Sequence, residues 1–571
     1  MKRIHFHFLV IIFLGLWISA CTPAAEKADT VLINGRFLTL DDTYPEASVV
    51  AIKGGRIAAI GGDELLAIWQ GDSTKIIDLA GQFAMPGFIE GHGHFSGFGY
   101  GLMNLNFLHA KNWDEIVALV AEKAASTPKG EWISGRGWHQ EKWEVAPELA
   151  IHGYPSHHTL SAMTKDHPVI LRHASGHALF ANEAAMRIAG VTAETPDPQG
   201  GHIVRDAHGH PIGVFEERAM ELITEAYAAW RNRLSPEDLE QEWLKGVQLA
   251  QQECLRHGIT SFQDAGASFQ EIDRYQRLAE SGQLNVRLWT MVRQDYTSMK
   301  QGLDNRFPII HAGDHFFTCR AIKTEVDGAL GAFGAWLLAP YNDKPDFIGQ
   351  NTTLVETVDS IAGLALDKGM QLCVHAIGDR ANQEVLNLME KRFQQAGSGD
   401  YRWRIEHSQH LDTTDIPRFA QLGVIASMQA IHCTSDAPFV EDRLGYERAR
   451  TGAYPWRSLL DVGAVVTNGT DVPVEEIDPL ASLYASVTRK RPDTGMAFFP
   501  EQAMTRMEAL HSYTTANAFA AFEEEVKGTL AVGKLADIVV WDTPLHTCTD
   551  EELLTAKPLQ VFVHGQLQYP Q

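Results

Sequence analysis

Short apolar segments recur along this chain and divide it into two kinds of region. Near both ends, runs that alternate apolar and polar positions are joined by Gly and Asp turns. This alternation is typical of β-hairpins with one buried face. Because the two ends share this character, we expect residues 30–84 and 525–571 to form one small β-sandwich domain.

Between these ends, over residues 85–524, short apolar runs alternate with helical stretches. This alternation predicts βα units and a parallel sheet. Eight candidate strands can be counted, at 84–90, 258–263, 286–292, 317–325, 370–376, 402–407, 423–428 and 463–468. Eight such units favour an α/β fold closed as a (β/α)8 TIM barrel, with functional groups at the C-terminal ends of the strands.

The interval between the first and second candidate strands is too long for a simple crossover. We therefore expect an insertion at residues 95–255, a stretch that is rich in Gly, His and Trp. Long segments of this kind commonly carry binding residues, so the insertion is expected to cover the active face of the barrel.

The first 20 residues differ from the rest of the chain. Lys2 and Arg3 precede an apolar stretch, and small residues lead directly into Cys21. This is the pattern of a signal peptide with a lipoprotein cleavage box. We expect residues 1–20 to be removed, Cys21 to carry a lipid, and residues 21–29 to be a linker, so that the exported protein is anchored to a bacterial membrane on the periplasmic side. The alternative is an ordinary cleaved signal with an incidental cysteine.

Composition narrows the class of partner. The chain has 72 acidic and 48 basic residues and a formal charge of −24 at pH 7, which argues against nucleic acid. The other cysteines are scattered, without a Cys-x-x-Cys motif, and predict neither a disulfide framework nor a thiolate zinc site. A small molecule is therefore the expected partner, and the oligomeric state stays open, with a homo-oligomer as one alternative.

Residues of the kinds that bind metal ions follow five of the predicted strands. His92 and His94 close the first strand, where residues two apart project on the same side and can reach one ion. Four later strands end in Lys323, His375, His407 and Asp471. A (β/α)8 barrel would bring all six side chains to one rim.

Each of these residues has an ordinary explanation when it is considered alone. Lys323 alone is explained by a salt bridge, and Asp471 by the N-cap of a helix. His375 and His407 are each explained by a capping role or by hydrogen bonds in the core. Taken together, they are better explained by one metal site, because separate explanations would have to hold at every strand end.

The order of these residues resembles the amidohydrolase superfamily. The segments Val-His-Ala-Ile-Gly-Asp-Arg-Ala around His375, Arg-Ile-Glu-His-Ser-Gln around His407 and Gly-Thr-Asp-Val-Pro-Val around Asp471 are similar to its YtcJ-like branch. That branch, also called the amidohydrolase 3 group, includes the N-substituted formamide deformylases. The likeness covers nearly the whole chain after the signal, including residues 323–331 and 533–539.

The resemblance implies a set of metal ligands and a cofactor. The implied ligands are His92, His94, Lys323, His375, His407 and Asp471. The implied cofactor is one or two divalent ions, most consistent with Zn2+, and Lys323 carbamylated by CO2 would bridge two ions. Glu90 and Ala430 depart from the family pattern, which usually has Asp and Pro at these positions, but neither change removes a ligand.

This site would hydrolyse a non-peptide C–N bond in an amide, a formamide or a related, fairly apolar small molecule. The metal would activate water to a hydroxide nucleophile, and Asp471 would act as general base and then as acid. Candidate substrate contacts are Trp138, His173 and His177 in the insertion, and Gln429 and His432 after the seventh strand. For Trp138, packing of the insertion onto the barrel is the alternative.

Two other functions remain open. A deaminase, or a hydrolase of esters or lactones, could use the same fold and the same ligands. A lipoprotein that only binds a ligand or a metal belongs to a different class, but binding alone would not require Asp471 as a base.

Overall fold

The structure of the protein is a computed structural model that describes residues 27–148 and 150–570. The predicted signal peptide, the lipidation site Cys21 and most of the predicted linker at 21–29 lie outside the described residues. Within the described part of the chain, no helix combines the length and the apolar character that a membrane span requires.

The segment that precedes the barrel consists mostly of strands. Its elements are β1 (Thr30–Ile33), β2 (Arg36–Leu38), β3 (Glu46–Ala47), β4 (Val49–Lys53), β5 (Arg56–Gly61), α1 (Glu64–Trp69), β6 (Lys75–Asp78) and β7 (Phe83–Pro86). Strands β5, β4, β1 and β6 form one sheet in that order. The first four residues of β4 are all buried, as its run of apolar residues predicts.

The first barrel strand is β8 (Phe88–Gly93), which corrects the predicted strand at 84–90. That apolar run is divided at Gly87, and its first half belongs to β7 in a different sheet. A Cβ atom at Gly87 would lie 2.2 Å from the Thr260 side chain, so the chain passes between the two sheets where only glycine fits. Apolar character alone does not show this division.

A second α/β unit follows β8, within the range predicted as an insertion. Its strands are β9 (Leu105–Asn106), β10 (Ile133–Trp138), β11 (Val169–His173), β12 (Ala178–Ala181), β13 (Gly201–Arg205) and β14 (Pro211–Glu217). The helices are α2 (Phe95–Met103), α3 (Trp113–Ser126), α4 (His158–Met163), α5 (Glu183–Ile188), α6 (Glu221–Arg231) and α7 (Pro236–Arg256). The strands form one sheet of order β13-β14-β12-β11-β10-β9.

The barrel resumes after α7. Its further strands are β15 (Ile259–Ala267), β16 (Arg287–Val292), β17 (Ile309–His311), β18 (Phe317–Glu325), β19 (Gln371–Ala376), β20 (Arg404–His407), β21 (Ile425–Ser427) and β22 (Val466–Thr467). The helices between and after them are α8 (Phe269–Glu280), α9 (Tyr296–Gly302), α10 (Ala312–His315), α11 (Val355–Lys368), α12 (Asp379–Ala396), α13 (Ile416–Leu422), α14 (Ala430–Leu444), α15 (Tyr446–Gly452), α16 (Trp456–Asp461) and α17 (Pro479–Thr488). Eight parallel strands pair in the order β8-β15-β16-β18-β19-β20-β21-β22, and β17 pairs antiparallel to β18. The predicted parallel barrel is confirmed.

The barrel is closed by loops and side chains, since β8 and β22 do not pair as strands. The Asp471 N–H donates to the carbonyl oxygen of His92 at 2.8 Å. The buried Asn517 amide donates to the carbonyl oxygens of Ile89 at 2.6 Å and Asn468 at 2.8 Å, one on each side of the gap. This closure places Asp471 directly beside the first strand.

The C-terminal segment returns to the first sheets. It contains α18 (Arg506–Ser512), α19 (Thr515–Ala520), β23 (Ile538–Trp541), α20 (Asp550–Thr555), β24 (Pro558–Val563) and β25 (Gln566–Tyr569). Strands from both ends of the chain share one sheet, of order β25-β24-β23-β7-β2-β3. Leu32 and Val50 of the N-terminal sheet pack in one apolar cluster with Val540 and Phe562 of this shared sheet.

Candidate metal centre

The six predicted metal ligands lie at the same end of the barrel. His92 is in β8, Lys323 in β18, His375 in β19 and His407 at the end of β20, while His94 and Asp471 follow the first and last strands. His94, Lys323, His375, His407 and Asp471 line one cavity. The register of the parallel strands therefore brings residues from distant parts of the sequence to one rim.

The distances between side-chain atoms show how closely these groups approach one another. Asp471 Oδ1 lies 3.5 Å from His92 Nε2 and 3.2 Å from His94 Nε2. The His407 ring centroid lies 4.8 Å from that of His92 and 4.4 Å from that of His375. His92, His407 and Asp471 each offer a ligand atom within 4.8 Å of the others, which is the spacing of a shared metal ion.

Buried polar atoms at this rim have no hydrogen-bond partner among the described residues. They are His92 Nε2, His375 Nε2 and Asp471 Oδ1. Such unsatisfied atoms cost about 1–3 kcal/mol each, so folded proteins seldom retain them without a ligand. Imidazole nitrogen and carboxylate oxygen are the donors that zinc-type ions prefer. The residues present therefore fit a divalent metal.

Two acceptors orient the histidine rings. Glu406 accepts a hydrogen bond from His92 Nδ1, and Gln429 Oε1 accepts one from His407 Nδ1 at 2.7 Å. Each bond places the proton on Nδ1 and leaves Nε2 with a free lone pair, which is the form that binds metal. Burial tends to raise the pKa of Glu406, but its contact with His92 holds it well below its usual range.

The protonation states also suit metal binding. Burial lowers the pKa of Lys323 and holds those of His375 and His407 well below the usual value, so both imidazoles are neutral at pH 7. Burial alone would raise the pKa of Asp471, but the close approach of His432 and His94 holds it well below its usual range. Asp471 is therefore a carboxylate.

Two of the candidate ligands have unusual backbone conformations. The φ angle is +75° at His407 and +57° at Asp471, in the left-handed region that side chains other than glycine rarely adopt. Each of these backbone conformations lowers the stability of the folded state by on the order of 1–3 kcal/mol, and such conformations cluster at functional sites. They occur here at the last residue of β20 and in the loop that follows β22, at the rim of the barrel.

His432, predicted as a substrate contact, lines the cavity beside Asp471. Its Nε2 lies 3.5 Å from Asp471 Oδ2, and its Nδ1 lies 3.6 Å from Glu475 Oε1. Burial lowers the pKa of His432, but the two carboxylates outweigh this effect and raise the pKa to about 10. His432 is therefore a cation that contacts the expected general base.

The cavity has a volume of about 1010 Å³ and lies between the barrel rim and the insertion. His173 and His177, both predicted as substrate contacts, line it from the insertion side. His177 Nδ1 lies 3.1 Å from the Glu217 carboxylate, which also lines the cavity. A cavity of this size can hold a drug-sized molecule.

Two predicted substrate contacts lie elsewhere. Trp138 is fully buried, packs in the core of the insertion, and donates from Nε1 to the carbonyl oxygen of Leu171 at 2.9 Å. Gln429 is also buried. Its side-chain oxygen accepts a hydrogen bond from His407, and its side-chain nitrogen donates one to the carbonyl oxygen of Ser427. Neither residue lines the cavity, so we leave both out of the proposed substrate contacts.

Sequence reasoning missed Glu406 and Asp327. Both are fully buried, and Asp327 accepts hydrogen bonds from the backbone N–H groups of Ile377, Gly378 and Trp336. Its Oδ1 also lies 3.7 Å from His375 Nε2. The sequence feature that could have revealed them is a carboxylate inside or just after an apolar strand. Asp and Glu are almost never fully buried without a partner, so a carboxylate at such a position indicates a specific contact.

A parallel barrel with histidines and a carboxylate at the C-terminal ends of its strands defines the class of metal-dependent barrel hydrolases. Residues 75–569 match the model of the amidohydrolase family, and the chain belongs to this family. The resemblance found in the sequence is confirmed.

Named relatives cover nearly the whole chain. The protein LONG AFTER FAR-RED 3 of Arabidopsis thaliana is 31% identical over 97% of this chain and 93% of its own length. A putative amidohydrolase, YtcJ of Bacillus subtilis, is 30% identical, with 94% and 98% covered. An N-substituted formamide deformylase of Arthrobacter pascens is 27% identical, with 95% and 99% covered.

A solved structure has the same fold. The crystal structure of an uncharacterized metal-dependent hydrolase from Pyrococcus horikoshii superposes with a TM-score of 0.72 at 25% identity, covering 91% of this chain and 99% of that one. The likeness therefore extends beyond the barrel to almost the whole molecule.

Proposed function

We propose that the protein is a metal-dependent hydrolase of a non-peptide C–N bond in an amide, a formamide or a related small molecule. The observation that carries this proposal is the set of buried, unpartnered ligand atoms of His92, His375 and Asp471 at one barrel rim. The similarity to an N-substituted formamide deformylase supports the choice of bond.

The residues that would hold the metal are His92, His94, Lys323, His375, His407 and Asp471, with one or two divalent ions, most consistent with Zn2+. A bound ion would supply a Lewis acid that lowers the pKa of water and polarises a carbonyl group. Glu406 and Gln429 keep the rings of His92 and His407 in the metal-binding tautomer.

Asp471 would move the protons of the reaction. Its carboxylate would accept a proton from the attacking water and return it to the nitrogen of the departing amine. His432 is a cation whose Nε2 lies 3.5 Å from Asp471 Oδ2. It would stabilise the negative charge that develops on the substrate beside this carboxylate during the reaction. His173 and His177 would contact the substrate from the insertion side.

We also propose that Lys323 reacts with CO2. Its neutral amine would form an N–C bond with CO2 and release a proton, giving a carbamate that would supply carboxylate-type oxygen ligands to the metal. Burial of Lys323, which favours the neutral amine, supports this reaction. Isotopically labelled CO2 should appear at Lys323 in native mass spectra and should be absent from Lys323→Met. A labelled Lys323→Met protein, or an unlabelled wild-type protein with full metal content, would contradict the carbamate.

Metal analysis combined with a hydrolysis screen tests the main proposal. We expect bound metal, turnover on amides or formamides, loss of turnover with a chelator, and recovery with Zn2+. Asp471→Asn should lower kcat by about 10²–10⁴-fold, whereas the exposed Asp367→Asn should not change it. Bound metal without turnover on amides, formamides or esters would favour a binding lipoprotein instead, and turnover on esters or amino-substituted rings alone would favour the other hydrolase classes.

We further propose that the protein is exported and lipid-anchored at Cys21, with its barrel on the periplasmic side of a bacterial membrane. The apolar stretch and the small residues before Cys21 support this proposal. Its expected partners are then the membrane and a small-molecule substrate.

A further inference from the structure

Two arginines of the insertion face the cavity side by side. Arg136 lies in β10 and Arg172 in β11, and these parallel strands pair with Arg136 directly opposite Arg172. Residues opposite each other in paired strands project on the same face of the sheet. Both side chains line the cavity that contains His94 and Asp471.

The other cavity arginines are paired with acidic side chains. Arg218 lies 3.4 Å from Glu221, Arg231 lies 2.7 Å from Glu242, and Arg293 forms an ion pair with Glu325. Among the described residues, Arg136 and Arg172 have no carboxylate oxygen within 4.0 Å.

Arg136 and Arg172 are left with few interactions. Arg136 donates one hydrogen bond, at 3.3 Å, to the carbonyl oxygen of Ala174, although a guanidinium group has five N–H donors. Burial lowers the pKa of Arg136 to about 10; the carboxylates of Asp471 and Glu475, both beyond ion-pair distance, oppose this effect, and the neighbouring charge of Arg172 adds to it. Two adjacent cations without a carboxylate partner repel each other, and a planar anion would satisfy both through parallel hydrogen bonds.

We propose that Arg136 and Arg172 bind a carboxylate group of the substrate. The substrate is then an N-formyl or N-acyl compound that carries a carboxylate, with its C–N bond at the metal centre and its charged end at the insertion. This inference rests on the proposed function. It differs from the sequence-based expectation of a fairly apolar substrate, because the substrate would carry a negative charge.

A pair of substrates that differ only in the carboxylate tests this inference. N-formylphenylalanine, supplied as both enantiomers, is compared with N-formylphenethylamine. For the wild-type protein we expect a higher kcat/KM with one enantiomer of the acid than with the neutral compound. Arg136→Gln and Arg172→Gln should each lower kcat/KM for the acid by about 10- to 100-fold, the range expected for one charge-assisted interaction, and should leave the neutral compound unchanged.

Arg187→Gln serves as the matched control, because Arg187 is an exposed arginine of the same insertion, in α5. It should leave both activities unchanged. Circular dichroism and metal content should be the same in all variants. A wild-type preference for the neutral compound, or an equal loss of both activities in the arginine variants, would overturn the inference.

Calorimetry with phenylpropionate separates this inference from the proposed function. If no amide or formamide of the hydrolysis screen is hydrolysed, the proposed function fails, but the wild-type protein should still bind phenylpropionate more tightly than the uncharged phenylpropanol. The double variant Arg136→Gln/Arg172→Gln should lose this difference. Equal binding of phenylpropionate by the double variant and the wild-type protein would place the carboxylate elsewhere and refute the role of the arginines.

Discussion

The imidazole of His92 is held between two carboxylates with different roles. Glu406 accepts the proton of Nδ1, and Asp471 Oδ1 lies 3.5 Å from Nε2 on the other side of the ring. The contact with Glu406 orients the imidazole ring, whereas Asp471 lies beside His92 at the barrel rim as a second candidate ligand. Such a partner usually matters nearly as much for metal binding as the ligand itself.

Glu406→Gln should weaken metal binding by about 10- to 100-fold. The amide that replaces the carboxylate is a weaker acceptor, so His92 is held less firmly in its metal-binding tautomer. Competition with a chelator measures the affinity. Glu122→Gln, at an exposed position in α3, is the control and should bind metal as the wild-type protein does. An unchanged affinity in Glu406→Gln would show that this carboxylate does not support the ligand.

At the scale of elements, the eighth strand is the weakest part of the barrel. The predicted strand at 463–468 is reduced to Val466–Thr467 in the structure. Gly463 has a φ of +82° and donates its N–H to the carbonyl oxygen of Leu460, so it still belongs to the end of α16. A two-residue strand cannot close the barrel by itself, which explains why Asn517 bridges the gap.

Asn517→Ala should destabilise the protein by about 2 kcal/mol, because it removes two buried hydrogen bonds, to the carbonyl oxygens of Ile89 and Asn468, that join the two sides of the gap. It should also weaken metal binding, since the same closure places Asp471 beside His92. Thermal unfolding and metal titration measure the two effects.

The exposed Asn305→Ala provides the comparison and should change neither quantity. If Asn517→Ala unfolds at the wild-type temperature, the barrel does not depend on this bridge.

At the scale of the whole molecule, one buried ion pair joins the barrel to the sheet shared by both chain ends. Arg287, at the start of β16, donates from Nε and Nη2 to the two carboxylate oxygens of Asp537 at 2.7 and 2.9 Å. Asp537 directly precedes β23 and also accepts the N–H of His564 at 2.9 Å. The pair therefore connects the third barrel strand to the C-terminal hairpin.

Asp537→Asn should lower the free energy of unfolding by about 3–5 kcal/mol, because it leaves the Arg287 charge buried without an opposite charge. Burial tends to raise the pKa of Asp537, but Arg287 holds it below the usual value near 3.8. The stability that the pair contributes is thus present above this usual pKa and is lost as the pH falls through the lower pKa of the folded state.

Denaturant unfolding at several pH values measures this contribution. The exposed pair of Lys53 and Asp29 is the control, and Asp29→Asn should cost less than about 1 kcal/mol. Equal losses in the two variants would argue against a special role of the buried pair.

Cys21→Ser should move the protein from the membrane fraction to the soluble fraction, because the proposed lipid attaches through the sulfur of this residue. Cell fractionation with metabolic labelling by a radioactive fatty acid measures both effects. Cys548→Ser, at a position far along the chain, should leave the wild-type distribution unchanged. A wild-type protein that is soluble and unlabelled would contradict the anchor.

The sequence by itself determined the parallel barrel and the class of its site. Strand periodicity and the residue types that follow each strand are local properties, so the eight strands and the candidate ligands, from His92 to Asp471, could be found without coordinates. The boundary errors occurred where a glycine divides or ends an apolar run, as at Gly87 and Gly463.

Only the tertiary structure decided which side chains share the cavity. Gln429 and His432 lie close together in the sequence, yet Gln429 supports His407 and His432 contacts Asp471. Arg136 and Arg172 are opposite each other only because β10 and β11 pair in that register. Side-chain direction and charge pairing depend on contacts between residues far apart in the chain, and these contacts exist only in the folded molecule.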